Sequence, residues 1–436
     1  MKGVVFIVLI SLLTFSRADD DPTSLEYLVL SLARLGEAFI EDMLSPGTPT
    51  PIDAYKTVPE LIMSRGYQTE IHKVMAEDGY INTAYRITGK IGSKETLTAQ
   101  KRPPVILQHG LGDDSTTYFA NEKDSVLPFL LIEEGYDVWM TNARGNIYSY
   151  EHMDIQTHNP KKRNSDYFRF TYDEMAKYDI PSYLDYILDR NEYEKVFYVG
   201  ASQGTTMFFA AADIIPNLED KISGFIALSP VMYVGNIVSP YIKLLVNLPL
   251  PQIFKFLQEY NLGVWPNYED GILRFISSHL RRTGARLVQL MFGIHKDIHF
   301  NLDRLPVLAT HQPGGTSLFN LLHWRQGIVS GEFKMYDFGT PEENREHYGQ
   351  DTPPFYNTTR IQQTFSKIPS LLFAGTADAF ARPKDLEKLM NVLQGTPVEV
   401  ARVEGYNHVD YGYAVDCREK VMIPSLNFIN NNATWG

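Results

Sequence analysis

A serine within the pattern G-x-S-x-G is the residue of this sequence best suited to nucleophilic chemistry. The pattern is GASQG at 200–204, which follows an apolar run typical of a buried strand and precedes a helix-like stretch over 203–213. A serine on a sharp strand-to-helix turn has its hydroxyl raised above the edge of a sheet. The helix N-terminus also favours developing negative charge. We therefore predict that Ser202 is a nucleophile that attacks a carbonyl carbon.

A serine hydroxyl needs a base to take its proton and an acid to orient that base. His408 is the only one of the 11 histidines after position 347, and it stands just past an apolar run over 398–403. Asp378 directly follows another apolar run, over 371–374. The chain order serine, acid, histidine is the one expected for a nucleophile on such a turn. We predict that His408 is the base and that Asp378 fixes the tautomer of its imidazole.

Three other aspartates are weaker candidates for the acid. Asp351 lies before the predicted strand rather than after it, and Asp385 falls on a predicted helix that follows Pro383. Asp410 is too close to His408 in the chain to reach its Nδ1 easily.

A negatively charged tetrahedral intermediate needs backbone N–H donors. One donor should be the residue after the nucleophile, Gln203, and the other should come from the loop after an early strand. His109-Gly110-Leu111-Gly112 occupies that place in the chain. We predict that the amides of Gln203 and Leu111 form the oxyanion hole and that His109 packs the loop.

The elements that must position these residues alternate between strand and helix. Five apolar runs, each followed by glycine or asparagine, predict buried strands: 105–107, 136–140, 196–199, 371–374 and 398–403. Helical patterns such as 172–189 lie between them. Strands that alternate with helices indicate a mostly parallel sheet covered on both faces. The predicted fold class is therefore α/β.

The rhythm breaks between about 233 and 362, where the chain is rich in proline, histidine and aromatic residues. The stretch over 239–266 is strongly apolar, and Tyr241, Leu244, Leu245 and Leu248 share one helical face. This stripe is either ordinary core or a surface toward substrate or a lipid interface. We predict a mostly helical cap at 233–362, inserted between core segments 56–232 and 363–436.

The N-terminus is typical of an export signal, predicted at 1–18 and cleaved after Ala18. Lys2 is followed by a 12-residue apolar stretch, which is too short to span a bilayer. Segment 19–55 reads as a helix over 24–43 and a linker. No later stretch is long and apolar enough to span a membrane, so the mature chain is predicted to have no transmembrane segment. The export signal predicts that the protein is secreted or lysosomal. Asn357 and Asn432 stand in N-glycosylation sequons.

Composition excludes several classes of protein. The chain has 436 residues, of which 44% are hydrophobic and 21% charged, as in a globular protein. Its net charge of −12 disfavours nucleic acid as a partner. The single cysteine, Cys417, allows no intrachain disulfide and is expected to be a buried free thiol.

Two histidines at i, i+4, His295 and His299, lack the glutamate that zinc hydrolases place directly after the first histidine. We predict no metal site and no cofactor.

Seven short segments, taken together in this order, resemble the acid lipase family that includes gastric lipase and lysosomal acid lipase. They are EDGY at 77–80, QHGL at 108–111, NARGN at 142–146, FTYDEMA at 170–176, SQGTT at 202–206, GGTS at 314–317 and YNH at 406–408. The resemblance implies an α/β-hydrolase fold with a helical cap and lid over an acyl-chain site. It also implies Ser202, Asp378 and His408 as nucleophile, acid and base, with Leu111 and Gln203 as oxyanion donors.

The substrates implied are triacylglycerols, steryl esters or other lipid esters at a lipid–water interface. Two alternatives stay open: a soluble carboxylesterase of short or specialised esters, and a non-catalytic lipid-binding protein. The chain departs from the family in Ala201, where histidine is common, in the absence of a cap disulfide, and in the helix at 24–43.

Overall fold

The computed structural model describes residues 22–45, 47–92, 101–155, 165–247 and 278–435. Within these ranges nine strands form one sheet in the order β1-β2-β4-β3-β6-β7-β8-β9, with β5 paired to β2. The strands are β1 (Tyr67–Met75), β2 (Tyr80–Lys90), β3 (Pro104–Gln108), β4 (Asp137–Thr141), β5 (Glu151–His152), β6 (Val196–Ala201), β7 (Ile222–Leu228), β8 (Ser370–Gly375) and β9 (Val398–Val403).

Most of the sheet is parallel, as predicted. Strand β3 pairs in parallel with β4 and β6, and the same direction continues through β7, β8 and β9. The antiparallel pairs are β1 with β2, β2 with β4 and β2 with β5. Because parallel strands end at a common edge, the residues that follow β3, β6, β8 and β9 meet there.

Helices cover both faces of the sheet, because successive side chains of a strand point to opposite faces. On β6, Val196 and Tyr198 pack into one buried cluster, whereas Phe197 and Val199 pack into the other. The helical segments outside the insertion that cover these faces are Val58–Ser64, Leu127–Glu133, Tyr172–Glu174 with the π-helical Met175–Asp179 and Ile180–Leu188, Gln203–Ile214, Pro383–Val392, Asp410–Tyr413, the π-helical Arg418–Met422, and Ile423–Asn432. The predicted α/β class is confirmed.

All five predicted strands are present, as β3, β4, β6, β8 and β9. The prediction that β9 is buried was wrong: it lies at the end of the strand order, and only Val403 of its six residues is buried. Strands β1, β2, β5 and β7 were not individually predicted. In β1 most side chains are exposed or half-buried, so its sequence lacks an apolar run. Strand β7 is fully buried but contains Gly224, a residue that weakens a strand signal.

Between β7 and β8 the described chain consists of helices joined by loops, with isolated β-bridges at Phe300 and between Lys334 and Phe355. Its helices are Pro240–Asn247, Arg281–Phe292, Leu305–His311, Leu318–Ser330, Pro341–Tyr348 and Thr358–Phe365. Of the apolar stripe, Tyr241 and Leu244 are half-buried, while Leu248 and most of the 239–266 stretch lie outside the described residues. The predicted limit at 362 falls within the last of these helices.

The helix predicted over 24–43 is present as Pro22–Leu44. The apolar face predicted for this helix, Leu28, Leu32, Leu35, Phe39 and Met43, does not form the whole buried face, because Phe39 and Met43 are exposed. Among the side chains described on this helix, the most buried are Ser31, Ala38 and Asp42. The predicted export signal lies outside the described residues. No helix in the described ranges combines the length and apolar character needed to cross a membrane.

The carboxylate of Asp42 caps the start of the insertion helix Arg281–Phe292. It accepts hydrogen bonds from the backbone N–H of Arg282 (3.1 Å) and of Thr283 (2.8 Å), and from the Thr283 hydroxyl (2.8 Å). A carboxylate at this position satisfies N–H groups that have no partner within the helix. The N-terminal helix is thereby joined to the insertion.

Candidate active site

Ser202 lies at the turn between β6 and the helix Gln203–Ile214. Its backbone has φ 49° and ψ −116°, a conformation that L-residues rarely adopt. The turn is held by the Ser202 N–H, which donates to the carbonyl of Leu228 on β7 at 2.9 Å. Strain of this kind is characteristic of functional residues.

The two glycines of the pattern allow this turn to pack closely. A Cβ at Gly200 would lie 2.8 Å from the carbonyl carbon of Gly204, and a Cβ at Gly204 would lie 2.5 Å from the carbonyl oxygen of Gln108. Each contact is closer than a side chain can tolerate. The glycines are therefore needed to bring the turn against the end of β3.

The structure brings Ser202, His408 and Asp378 into one hydrogen-bonded chain. The Ser202 Oγ lies 2.7 Å from the His408 Nε2. The His408 Nδ1 lies 2.9 Å from Asp378 Oδ2 and 3.1 Å from Oδ1. Since an ionised carboxylate only accepts, Nδ1 carries a proton and Nε2 of the neutral ring is free to accept from the serine hydroxyl. This arrangement can remove the serine proton during an attack on a carbonyl group.

Asp378 is held in place by backbone donors. Its Oδ1 accepts from the N–H groups of Phe380 (2.8 Å) and Ala381 (3.0 Å), and its side chain is almost fully buried. Backbone donors fix the orientation of a carboxylate. Asp378 can therefore both orient the imidazole and stabilise an imidazolium.

The three weaker candidates for the acid have other partners. Asp351 is exposed and pairs with Arg345. Asp385 accepts from the backbone N–H (3.0 Å) and side-chain amide (2.8 Å) of Asn236. Asp410 Oδ2 accepts from the N–H of Asn407 at 2.7 Å, and burial raises the Asp410 pKa to about 7.

Two residues that the sequence did not single out hold the backbone of His408. The Ser229 hydroxyl donates to the His408 carbonyl at 2.5 Å, and the His408 N–H donates to the carbonyl of Phe292 at 3.2 Å. The Phe292 ring is nearly parallel to the imidazole, at 9° and 6.2 Å. Phe292 ends the insertion helix Arg281–Phe292, so the insertion reaches the histidine directly.

The loop after β3 passes directly over the proposed nucleophile. A Cβ at Gly110 would lie 3.0 Å from the Ser202 Cβ, so the loop approaches the serine at backbone distance. Leu111 follows at once and is half-buried. The Gly110–Leu111 peptide is therefore close to Ser202 in the chain fold, as the predicted oxyanion role of Leu111 requires.

Hydrogen bonds hold the ring of His109 within the loop, in agreement with its predicted packing role. Its Nε2 accepts from the Ala143 N–H at 3.0 Å, so its Nδ1 is the protonated nitrogen and donates to the Gly110 carbonyl at 2.9 Å. Burial lowers the His109 pKa to about 4, which keeps the ring neutral.

Gln203, the other predicted oxyanion residue, has a buried side chain fixed by the insertion. Its Oε1 accepts from the Asn320 amide at 2.8 Å and from the Trp324 indole N–H at 2.6 Å. Neither donor was predicted. The only sequence signal nearby is the GGTS segment at 314–317, which precedes the helix that carries both.

The remaining candidates stand apart from this chain of hydrogen bonds. The rings of His295 and His299 approach to 3.2 Å. Among the described residues, no group of three or more His, Cys, Asp or Glu side chains could hold a metal ion. Cys417 is a buried free thiol, as expected.

Comparison with known proteins agrees with this fold. The model of the alpha/beta hydrolase fold family matches residues 103–413, and that of the partial alpha/beta-hydrolase lipase region matches 58–122. Among solved structures, a soluble variant of the monoglyceride lipase of Saccharomyces cerevisiae aligns with a TM-score of 0.50 at 16% identity, covering 89% of this chain and 100% of that one.

The sequence relatives are lipases. Gastric triacylglycerol lipase of Bos taurus is 37% identical over 85% of this chain and 90% of its own length. Lipase member K of Mus musculus is 33% identical over 85% of this chain and 93% of its own length. Family models and relatives together show that this chain belongs to the lipase family of α/β-hydrolases that includes gastric triacylglycerol lipase.

Proposed function

We propose that this lipase hydrolyses carboxylic esters of lipids through an acyl-enzyme on Ser202. The observation that carries the proposal is the hydrogen-bonded chain from the Ser202 Oγ through His408 to Asp378. A plain turn serine has no need of a buried imidazole at 2.7 Å that is itself oriented by a buried carboxylate. Triacylglycerols or steryl esters are the substrates. This choice is supported by relatives named gastric triacylglycerol lipase and by one named putative lysosomal acid lipase/cholesteryl ester hydrolase.

The reaction proceeds in two halves. In the first, the His408 Nε2 takes the proton of Ser202, whose oxygen attacks the ester carbonyl carbon. The N–H groups of Leu111 and Gln203 stabilise the oxyanion, and the alcohol leaves with the proton held by His408. In the second, His408 takes a proton from water, which attacks the acyl-serine. The tetrahedral intermediate then expels the Ser202 oxygen, which takes that proton back from His408, and the fatty acid leaves. Asp378 stabilises the imidazolium in both halves.

The test compares wild type with Ser202→Ala on matched short-chain soluble esters and long-chain emulsions, from about pH 4 to 8, on either side of the unperturbed histidine pKa of about 6.5. Ser330→Ala, at an exposed serine, is the control. We expect Ser202→Ala to lose at least about 10³-fold in kcat with an unchanged Tm, and the control to keep both. Retained hydrolysis by Ser202→Ala would overturn the assignment. Serine-dependent cleavage of short soluble esters alone would replace the lipase with a carboxylesterase.

The protein is further proposed to enter the secretory pathway, to be secreted or lysosomal, and to carry glycans at Asn357 and Asn432. Asn357 is exposed and caps the helix Thr358–Phe365 through its Oδ1, which accepts from the Arg360 N–H at 3.2 Å. Asn432 is half-buried. Treatment of the protein from a secreting host with a peptide N-glycosidase should increase its gel mobility. In Asn357→Gln this increase should be smaller by the contribution of one glycan. Unchanged mobility of the wild type would refute the glycan proposal.

A further inference from the structure

One segment of the insertion, residues 312–324, contacts both the loop that carries Leu111 and the side chain of Gln203. We propose that this segment, here called the clamp, sets the spacing of the two amides, and that Asn320 and Trp324 are positioning residues that act through Gln203. The inference rests on the proposed roles of the Leu111 and Gln203 amides.

The first contact of the clamp is with the loop that carries Leu111. The Gly314 N–H donates to the Gly112 carbonyl at 2.7 Å, and the Gln312 side chain donates to the carboxylate of Asp113. Gly314 has no room for a side chain, because a Cβ there would lie 2.5 Å from the Asp114 Oδ2. The loop is therefore held against the clamp at backbone distance, immediately after Leu111.

The second contact is with Gln203. A single oxygen, Gln203 Oε1, accepts from both Asn320 and Trp324, while the Gln203 Nε2 lies 3.3 Å from the Met175 Sδ. The side chain is 2% exposed, so water does not replace these donors. The first residue of the helix after Ser202 is thus fixed to the insertion at its side chain.

Asn320 is poorly explained by stability. Its amide nitrogen donates to Gln203 and lies 3.0 Å from the Thr316 hydroxyl, but its buried Oδ1 has no hydrogen-bond partner among the described residues. An unpaired buried oxygen destabilises a protein. The presence of Asn320 is better explained by the hydrogen bond that its side-chain amide donates to Gln203.

The placement of the two amides matters because the oxyanion forms twice, once in acylation and once in deacylation. Loss of one donor lowers kcat by about 10² to 10³-fold, and displacement of a reacting group by about 1 Å costs up to about 10²-fold. Loss of a clamp contact should therefore slow both halves of the reaction without weakening the binding of the acyl chain.

The test uses Asn320→Leu, which is close in size and also removes the unpaired oxygen, and Trp324→Phe, which removes the indole N–H. We expect kcat to fall about 10- to 100-fold, KM to stay within about 3-fold, and Tm to be unchanged or raised for Asn320→Leu. The matched control is Gln326→Leu on the same helix, whose two hydrogen bonds go to the backbone of Asp337 at 2.6 and 2.9 Å. It should keep kcat within about 3-fold.

A double-mutant cycle separates positioning from general loosening. In a Gln203→Leu background, Asn320→Leu should lower kcat no further, because its contact has already been removed. The proposal is overturned if Asn320→Leu retains wild-type kcat, or if its KM rises while its kcat is unchanged. It is also overturned if Gln326→Leu loses as much kcat as Asn320→Leu, or if the kcat losses of Gln203→Leu and Asn320→Leu add in the double variant. Failure of the proposed function is distinguishable, since it would appear as hydrolysis by Ser202→Ala.

Discussion

The sheet and the insertion hold the same site by different means. The sheet places Ser202 through backbone geometry: a positive φ, glycine contacts and a hydrogen bond to the neighbouring strand. The insertion reaches the site through the Phe292 carbonyl and the side chains of Asn320 and Trp324. The comparison teaches that the residues proposed to react follow strand ends, whereas their exact placement also depends on residues far away in the chain.

The largest effect is expected at Asp378, which follows strand β8 of the sheet. Asp378→Asn should lower kcat by about 10⁴-fold while the fold is kept, because an amide can hold the wrong tautomer of His408. The measurement is kcat on a soluble ester together with Tm. Asp410→Asn is the control, since Asp410 bonds to the Asn407 N–H rather than to the imidazole. A larger loss of kcat in Asp410→Asn than in Asp378→Asn would show that Asp378 is not the acid.

A smaller effect is expected at the loop where the two regions meet. Burial, with the charge of Asp114, raises the pKa of Asp113 to about 8, and burial raises that of Asp114 to about 6. In the unfolded chain both titrate near about 3.9, so the folded state holds more protons between about pH 4 and 8. Their contribution to stability is present in acid and is lost as the pH rises through the folded pKa values.

We therefore expect the Tm to fall by a few degrees between about pH 6.5 and 8.5, and Asp113→Asn to flatten that decline. Below about pH 6.5 the buried His109 and His323 have the opposite effect on stability. Burial lowers the pKa of each to about 4, so the unfolded chain takes up more protons than the folded one as the pH falls, and the folded state loses stability in acid. Thermal unfolding across this range measures the slope. A Tm that rises toward pH 8.5 would contradict the assignment.

The smallest effect is expected where the N-terminal helix meets the insertion. Asp42→Ala removes the cap of the helix Arg281–Phe292 and should cost about 1 kcal/mol of unfolding free energy. Glu41→Ala, which breaks only the exposed pair with Arg282 at 3.0 Å, should cost less than about 0.5 kcal/mol. Denaturant unfolding of both variants tests the difference. Equal losses would mean that the cap is not the important contact.

The sequence predicted five of the nine described strands, because buried parallel strands are rich in apolar residues. All five residues of β3 and of β4 are buried, and both were predicted from local apolar runs. Glycine spacing likewise identified the turn at Ser202. The close backbone approach at this turn requires glycine, so a local sequence pattern was enough to predict it.

The contacts made by side chains across the fold could not be predicted. Asn320 and Gln203 are 117 positions apart, and nothing near either marks the other as its partner. The N-terminal helix was predicted from its leucines, yet Asp42 is buried because the neighbouring helix presents free N–H groups to it. Such pairings depend on how two elements dock, and a single sequence does not contain that geometry.

The buried thiol of Cys417 makes this chain convenient for site-specific labelling. Burial raises its pKa to about 12, so it stays protonated and poorly reactive at neutral pH. It is also the only cysteine of the chain. A cysteine introduced at an exposed position such as Val329, on the helix that carries Asn320 and Trp324, would therefore take up a maleimide dye alone. Fluorescence from that one dye could follow the insertion as an ester droplet is added.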